Sequence, residues 1–121
     1  MLQKIFDYAK KKYHSEPEYL WARLPEAAVL RNQENQKWYA VFMKIMPEKI
    51  GLKGKDLIPI MDLKCDPMLM GSFLQMPGYY PGYHMNKTHW MTVLLDGTIE
   101  EEQLLQLLDM SYHLTEKRKK S

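Results

Sequence analysis

The sequence predicts one α+β domain, in which an antiparallel β-sheet has helices packed on one face. Three observations predict this class: amphipathic helical stripes near both ends, β-favouring runs between them, and turn residues that separate those runs. The predicted order is helix, hairpin, strand, short helix, strand, helix, with no internal repeat. Because 121 residues is the size of one ordinary domain, residues 1–121 are predicted to form a single unit with a basic tail from about residue 116.

Residues 2–13 are predicted to form the first helix. Apolar side chains recur there at three- and four-residue spacing, and lysines and other polar side chains fall on the opposite face. Pro17 disfavours helical backbone at Glu16, so the helix ends before it. The apolar stripe consists of Leu2, Ile5, Phe6, Ala9 and Tyr13.

The middle of the chain is rich in β-favouring residues. Strands are predicted at 27–31 and 37–45, joined by a polar turn. Residues 46–56 carry two glycines and three lysines, which favours a loop or a second hairpin tip. A further strand is predicted at 57–65. Pro59 cannot donate a hydrogen bond to a neighbouring strand, so it belongs at the start of this strand or the strand lies at an edge.

A short helix and a strand follow. Asp66 can cap the helix, Pro67 suits its first position, and Pro77 with Gly78 ends it. Residues 89–96 have apolar side chains on both faces, which predicts a strand in the centre of the sheet.

The last helix is predicted to end near Leu114. Thr98 and Glu101 have the spacing of a capping box, and the acidic residues at the start suit the positive end of the helix dipole. Its apolar stripe includes Leu104, Leu107 and Leu108.

The charge of the chain is concentrated at its two ends. The net charge is +2 and the sequence pI is about 8.6. Residues 1–14 carry four lysines against one aspartate, and the tail is also basic. This mild excess is compatible with nucleic acid but is smaller than the excess typical of strongly basic nucleic-acid-binding domains.

The cysteine content and the hydropathy pattern predict a cytoplasmic protein. A single cysteine, Cys65, cannot form an internal disulfide or a cysteine-rich zinc site, which fits a reducing compartment. No run approaches the roughly 18 apolar residues that span a bilayer, so no membrane partner is predicted.

No enzymatic activity, metal or cofactor is predicted. His84 and His89 are five residues apart without an adjoining acidic or cysteine cluster, which matches no common ligand pattern. A lone cysteine in a strand is usually buried rather than a nucleophile. The chain also lacks a phosphate-binding glycine loop, a nucleophile elbow and an HExxH motif.

The segment Tyr79–Trp90, "YYPGYHMNKTHW", has two interpretations. In the first, it is a turn in which Tyr83 and Trp90 pack inward and His84, Asn86 and His89 bond the loop backbone. In the second, it is a rim of aromatic and donor groups that offers Lys87 to an anion. The residues in question are Tyr83, His84, Asn86, Lys87, His89 and Trp90.

Three stretches, "LKCDP", "PGYHMNKTHWMTVLLDG" and "LLDMSYHL", resemble the MmcQ/YjbR family, most sharply over residues 63–114. The resemblance implies a compact fold related in topology to the frataxin-like CyaY proteins. It also implies DNA binding through a "double wing" arrangement. Frataxin-like proteins bind iron through acidic residues on and after the first helix. Here that helix is lysine-rich and has only Asp7, so iron binding is not carried over.

The leading functional hypothesis is a cytoplasmic, non-enzymatic module that binds DNA through its phosphate backbone. The alternative is a protein-interaction or small-ligand module that uses the aromatic segment. In the first, lysine and arginine side chains meet phosphates and the aromatic segment shapes the surface. In the second, the aromatic segment is itself the binding surface. The predicted binding residues are Lys10, Lys11, Lys53, Lys55, Tyr83, Asn86, Lys87, His89 and Trp90.

Overall fold

The computed structural model describes residues 1–116, so the predicted basic tail lies outside the described residues beyond Glu116. The helices are α1 (Leu2–Tyr13), α2 (Pro67–Phe73) and α3 (Glu101–Thr115), and the strands are β1 (Ala28–Arg31), β2 (Trp38–Ile45), β3 (Ile58–Lys64), β4 (Tyr79–Pro81) and β5 (Trp90–Leu94). A single 3₁₀ turn, Pro47–Ile50, follows β2. These elements confirm the predicted α+β class and the predicted bounds of the first helix.

The five strands form one sheet in the order β1-β2-β3-β5-β4, and every neighbouring pair is antiparallel. β5 lies between β3 and β4 and is buried along its whole length, which confirms the prediction of a central strand. Pro59 is the second residue of β3, which pairs on both sides, so its place is near the start of a strand and not at an edge.

The strand β4 was not predicted. Residues Tyr79–Pro81 pair with β5 at the edge of the sheet, where a turn was expected. The proline at the end of β4 fits this edge because it has no N–H to leave unpaired. One further proline, Pro77, and two glycines, Gly78 and Gly82, surround this short strand, and these turn-forming residues hid the strand in the sequence.

One face of the sheet, here called the helix face, is covered by helices. Along this face Leu30, Ala40, Leu63 and Met91 lie in register on successive strands. All three helices contribute to the same core, through Ile5 of α1, Met70 of α2 and Leu104 of α3, among others. Burial of this apolar surface is the main stabilising term of the domain.

A carboxylate holds α1 against α3. The hydroxyl groups of Tyr8 and Tyr13 donate to Asp109 at 2.7 and 2.5 Å, and Lys12 Nζ lies 3.2 Å from the same carboxylate. Burial favours the neutral acid, but the hydrogen bonds from Tyr13, Tyr8 and Lys12 outweigh it and lower the pKa of Asp109. The two helices are therefore joined by a charged cluster as well as by the core.

The predicted capping box at the start of α3 is wrong. Thr98 Oγ1 donates to Asp96 Oδ1 at 2.6 Å, and the Thr98 N–H donates to the same oxygen at 3.0 Å. Thr98 is therefore held in the tight turn after β5 by Asp96, and its side chain does not cap the helix. The capping position is Glu100, whose side chain makes no capping hydrogen bond within residues 1–116.

The opposite face, here called the loop face, is covered without helices. Val29, Val41, Asp62, Thr92 and Tyr80 lie in register across it. Three segments, 18–26, 46–57 and 82–89, supply the side chains that pack on this face; these include Trp21, Ile50, Leu52, Tyr83 and Met85.

The replacement Asp109→Ala is expected to lower the free energy of unfolding by about 2 kcal/mol, because it leaves two part-buried hydroxyl groups and Lys12 without their acceptor. Urea denaturation measures this loss. Asp7→Ala is the matched control, since Asp7 is exposed on α1 and accepts only from the Gln3 side chain among the described residues. Equal stability losses in the two variants would show that the cluster does not hold the helices together.

Candidate functional site

The segment 82–89 closes on itself at a narrow neck. The Gly82 N–H donates to the Trp90 carbonyl oxygen at 3.1 Å. A Cβ atom at Gly82 would lie 2.8 Å from that oxygen and 2.9 Å from the Trp90 Cβ. Glycine is therefore required here by the close approach of two backbones.

Asn86 and Lys87 hold this segment in shape. Asn86 Oδ1 accepts from the Thr88 N–H at 2.8 Å, and the Asn86 carbonyl accepts from the Trp90 N–H at 2.9 Å. Lys87 Nζ donates to the Gly82 carbonyl at 2.9 Å. The first interpretation of the aromatic segment therefore applies to Asn86. Lys87, which the second interpretation offers to an anion, also bonds the loop backbone.

Trp90 and His89 occupy different surroundings. Trp90 is buried, and Lys64 Nζ lies 5.1 Å from the centre of its ring. The exposed His89 lines a small cavity of about 140 Å³ with Cys65 and Asp66, away from Tyr83. Burial raises the pKa of the Cys65 thiol, so the thiol is held in its protonated form at neutral pH.

A polar relay connects the aromatic segment to the centre of the sheet. The Tyr83 N–H donates to Thr92 Oγ1 at 2.8 Å, and the Thr92 hydroxyl donates to Asp62 Oδ1. Asp62 is fully buried on β3, and its Oδ2 has no hydrogen-bond partner among the described residues. The relay fixes the backbone of Tyr83 over the loop face.

The environment of Asp62 raises its pKa from 3.8 to about 7, because burial removes water from the carboxylate. The Thr92 hydroxyl, the Tyr83 N–H and the charge of Lys87 act in the opposite direction but do not cancel this effect. A carboxyl group that titrates near neutrality thus lies directly beneath the aromatic segment.

Two hollows lie on either side of Tyr83 on the loop face. The large hollow, of about 380 Å³, has mainly apolar walls, and the small hollow, of about 220 Å³, has two lysines and two tyrosines. The large hollow is lined by Arg23, Leu24, Pro25, Glu26, Ala27, Met43, Lys44, Ile45, Met46, Lys49, Leu57, Tyr83 and His84. The small hollow is lined by Lys49, Ile50, Tyr80, Pro81, Tyr83 and Lys87.

The walls of the two hollows are positively charged. They contain four lysine or arginine side chains and one carboxylate, Glu26, whose Oε1 lies 3.1 Å from Lys44 Nζ. Arg23, Lys49 and Lys87 form no ion pair with another residue in the range 1–116. This arrangement can attract an anion to a surface that also offers an aromatic ring.

The structure brings together only some of the predicted binding residues. Tyr83 and Lys87 meet at the small hollow. Lys53 and Lys55 are exposed in the segment that covers the loop face, but they line neither hollow. Lys10 and Lys11 are exposed on α1, which packs on the helix face on the other side of the sheet.

Other residues of the site were not among the predicted binding residues, although Lys49 belongs to the predicted lysine-containing loop and Tyr80 to the aromatic segment. Arg23, Lys44, Lys49 and Tyr80 come from four parts of the chain, and the sequence contains no local motif that connects them. Asp62 did have a signal, because a lone carboxylate between apolar residues in a predicted strand indicates a buried charge.

The fold and this site define a small α+β domain whose sheet is covered by helices on one face and by loops around an aromatic residue on the other. The chain matches the family model YjbR over residues 10–114. It therefore belongs to the YjbR family, as the sequence motifs predicted.

Relatives and solved structures agree with this assignment. The Bacillus subtilis protein YyaQ is 40% identical over 113 residues, which cover 93% of this chain and 96% of YyaQ. A crystal structure of a Pseudomonas syringae protein has a TM-score of 0.90 and 46% identity and covers 94% of this chain and 97% of that chain. A Deinococcus radiodurans protein with a DUF419 domain has a TM-score of 0.71 and 29% identity, over 94% of this chain and 77% of that chain. The names of these proteins state no ligand or activity.

No helix within residues 1–116 has the length and apolar character needed to cross a bilayer.

The buried Asp62 predicts a specific pH dependence of stability. Because its pKa is higher in the folded chain than in the unfolded chain, its protonated form stabilises the fold, and this stabilisation is lost as pH rises from about 4 to about 7. Each pKa unit corresponds to about 1.4 kcal/mol, and stability falls over the two units from pH 5 to pH 7, so the loss between pH 5 and pH 8 is expected to be about 3 kcal/mol.

Asp62→Asn removes the titrating group while its amide oxygen can still accept from Thr92. Urea denaturation at several pH values should show that the variant lacks this loss, whereas the exposed-site control Asp56→Asn keeps it. If the stability of the wild-type chain instead rose over this pH range, relative to that of Asp62→Asn, the raised pKa of Asp62 would be contradicted.

Proposed function

We propose that this chain is a non-enzymatic module that binds DNA through phosphate contacts on the loop face of its sheet. The observation that carries the proposal is the group of cations around Tyr83, namely Arg23, Lys44, Lys49 and Lys87. Phosphate contacts by lysine and arginine supply most of the sequence-independent affinity of DNA-binding proteins. Lys53 and Lys55 extend the same basic surface.

The helix face offers a weaker case for phosphate binding. Lys4 lies 3.3 Å from Glu101, and Lys12 is paired with Asp109, so two of its lysines already have carboxylate partners. Lys10 and Lys11, predicted to bind phosphate, lie on this face. We therefore assign the main phosphate contacts to the loop face and a minor role to α1.

The proposal includes the finer features implied by the family resemblance. In it, the segments 46–57 and 82–89 are the two wings of a double wing arrangement. The topology is related to that of the frataxin-like proteins, without their iron site, because α1 is rich in lysine. Binding takes place in the cytoplasm, as the single cysteine indicates.

The double variant Arg23→Ala/Lys49→Ala tests this assignment. Fluorescence anisotropy with a labelled random-sequence duplex, at about 50 and 200 mM salt, should show at least a ten-fold loss of affinity of the intact chain between the two salts. The variant should bind about ten-fold more weakly at low salt, and its salt slope should be smaller by nearly two, because each neutralised phosphate contributes about 0.9. Lys87 is left intact because its ammonium group supports the loop.

Lys10→Ala/Lys11→Ala is the matched control, since it removes the same two charges from the helix face. Its affinity should stay within about two-fold of the intact chain. Equal losses in both double variants would refute the assignment to the loop face. An absence of binding at tens of micromolar protein in low salt would refute DNA binding, and salt-insensitive binding would favour the alternative, a small-ligand or protein-interaction module.

A further inference from the structure

We infer that the two hollows beside Tyr83 together form a binding site for one nucleotide, with its base in the large hollow and its phosphate in the small hollow. The inference rests on the proposed function in using the same face of the sheet. It goes further in naming the unit that is bound and the part of the site that each half of the ligand occupies.

The large hollow has the chemistry of a base site. Its walls are mainly apolar, and its volume of about 380 Å³ is in the range of small-molecule sites. Tyr83 and His84 both line it, with ring centres 4.0 Å apart and ring planes tilted by 45°, so either ring can offer a face to a planar heterocycle. Its polar groups come from Glu26, which is paired with Lys44, and from His84, Arg23 and Lys49, and they include both donors and acceptors for the edge of a base.

The small hollow has the chemistry of a phosphate site. Lys49 and Lys87 are both exposed and line it together with Tyr80 and Tyr83. Lys87 Nζ uses one N–H for the Gly82 carbonyl at 2.9 Å, which leaves two of its three donors for a ligand. No carboxylate lines this hollow within the described residues, so charge complementarity favours a phosphate group.

The two hollows are connected through shared walls. Lys49 and Tyr83 line both of them, so a ligand of nucleotide length can reach from one to the other across the tyrosine. The Tyr83 backbone is held by Thr92, and Tyr80 is paired with the same threonine in the sheet register. The site is therefore fixed to β4 and β5 before a ligand arrives, which lowers the cost of binding.

Calorimetry on the intact chain tests the two-part site with the four 5′-mononucleotides, the corresponding nucleosides and inorganic phosphate. At least one mononucleotide should bind about ten-fold more tightly than both its nucleoside and inorganic phosphate, because each half of the ligand meets its own hollow. Inorganic phosphate that binds as tightly as every mononucleotide would overturn the inference, since the large hollow would then contribute nothing.

Matched variants separate the two hollows. Lys49→Ala should weaken mononucleotide binding about ten-fold, while Lys37→Ala, which removes the same charge from an exposed position outside both hollows, should leave it unchanged. Tyr83→Leu should weaken binding of the mononucleotide by about ten-fold but not that of inorganic phosphate, and Tyr83→Phe should retain both. Equal effects of Lys49→Ala and Lys37→Ala would overturn the inference.

Oligonucleotides distinguish a free nucleotide from a strand end and separate this inference from DNA binding. If a 5′-phosphorylated single strand binds more tightly than its unphosphorylated form, the site takes the nucleotide at a strand end. If the two strands bind equally and mononucleotides also bind, the site takes the free nucleotide. Duplex binding without mononucleotide binding would overturn the nucleotide site and leave the proposed function standing. Mononucleotide binding without duplex binding would refute the proposed DNA binding and leave the nucleotide site standing. If neither ligand binds, both proposals are refuted.

Discussion

The sheet is apolar on both faces, and the need to keep water from each face determines the rest of the architecture. β5 is buried along its whole length, and β3 is buried over most of its residues, so neither face of the central strands can be left open. Helices cover one face with a continuous core. Irregular segments cover the other, and because they pack less completely than helices, they leave the two hollows around Tyr83.

The buried hydrogen bonds from Tyr83 to Thr92 and from Thr92 to Asp62 connect the stability of the fold to the candidate site. Asp62 loses its water when the aromatic segment packs above it, and this loss raises its pKa to about 7. The Thr92 hydroxyl satisfies one carboxyl oxygen and also accepts from Tyr83, so the same contact that limits the cost of the buried acid positions the tyrosine. Asp62 is therefore connected through Thr92 to the residue that lines both hollows.

Local patterns predicted the elements of this fold better than its functional surface. The stripe of α1 and the two-sided apolar run of β5 are local signals, and the structure has both elements where they were predicted. β4 was missed because a strand of three residues is too short to show a pattern. The start of α3 was misplaced because Thr98 bonds Asp96 and does not cap the helix. Arg23 and Lys49 could not be grouped with Tyr83 from the sequence, since strand register and loop packing bring them together across distant parts of the chain.

The most direct test of this account is an amide NMR titration of the intact, ¹⁵N-labelled chain with a short phosphorylated DNA strand. The central claim is that the loop face binds the ligand. It predicts that the largest shift changes cluster in the segments around Arg23, Lys49 and Tyr83, and that α1 and α3 change little. Changes that centre on Lys10 and Lys11 of α1, with the amides around Tyr83 unmoved, would contradict the claim and return the binding surface to the helix face.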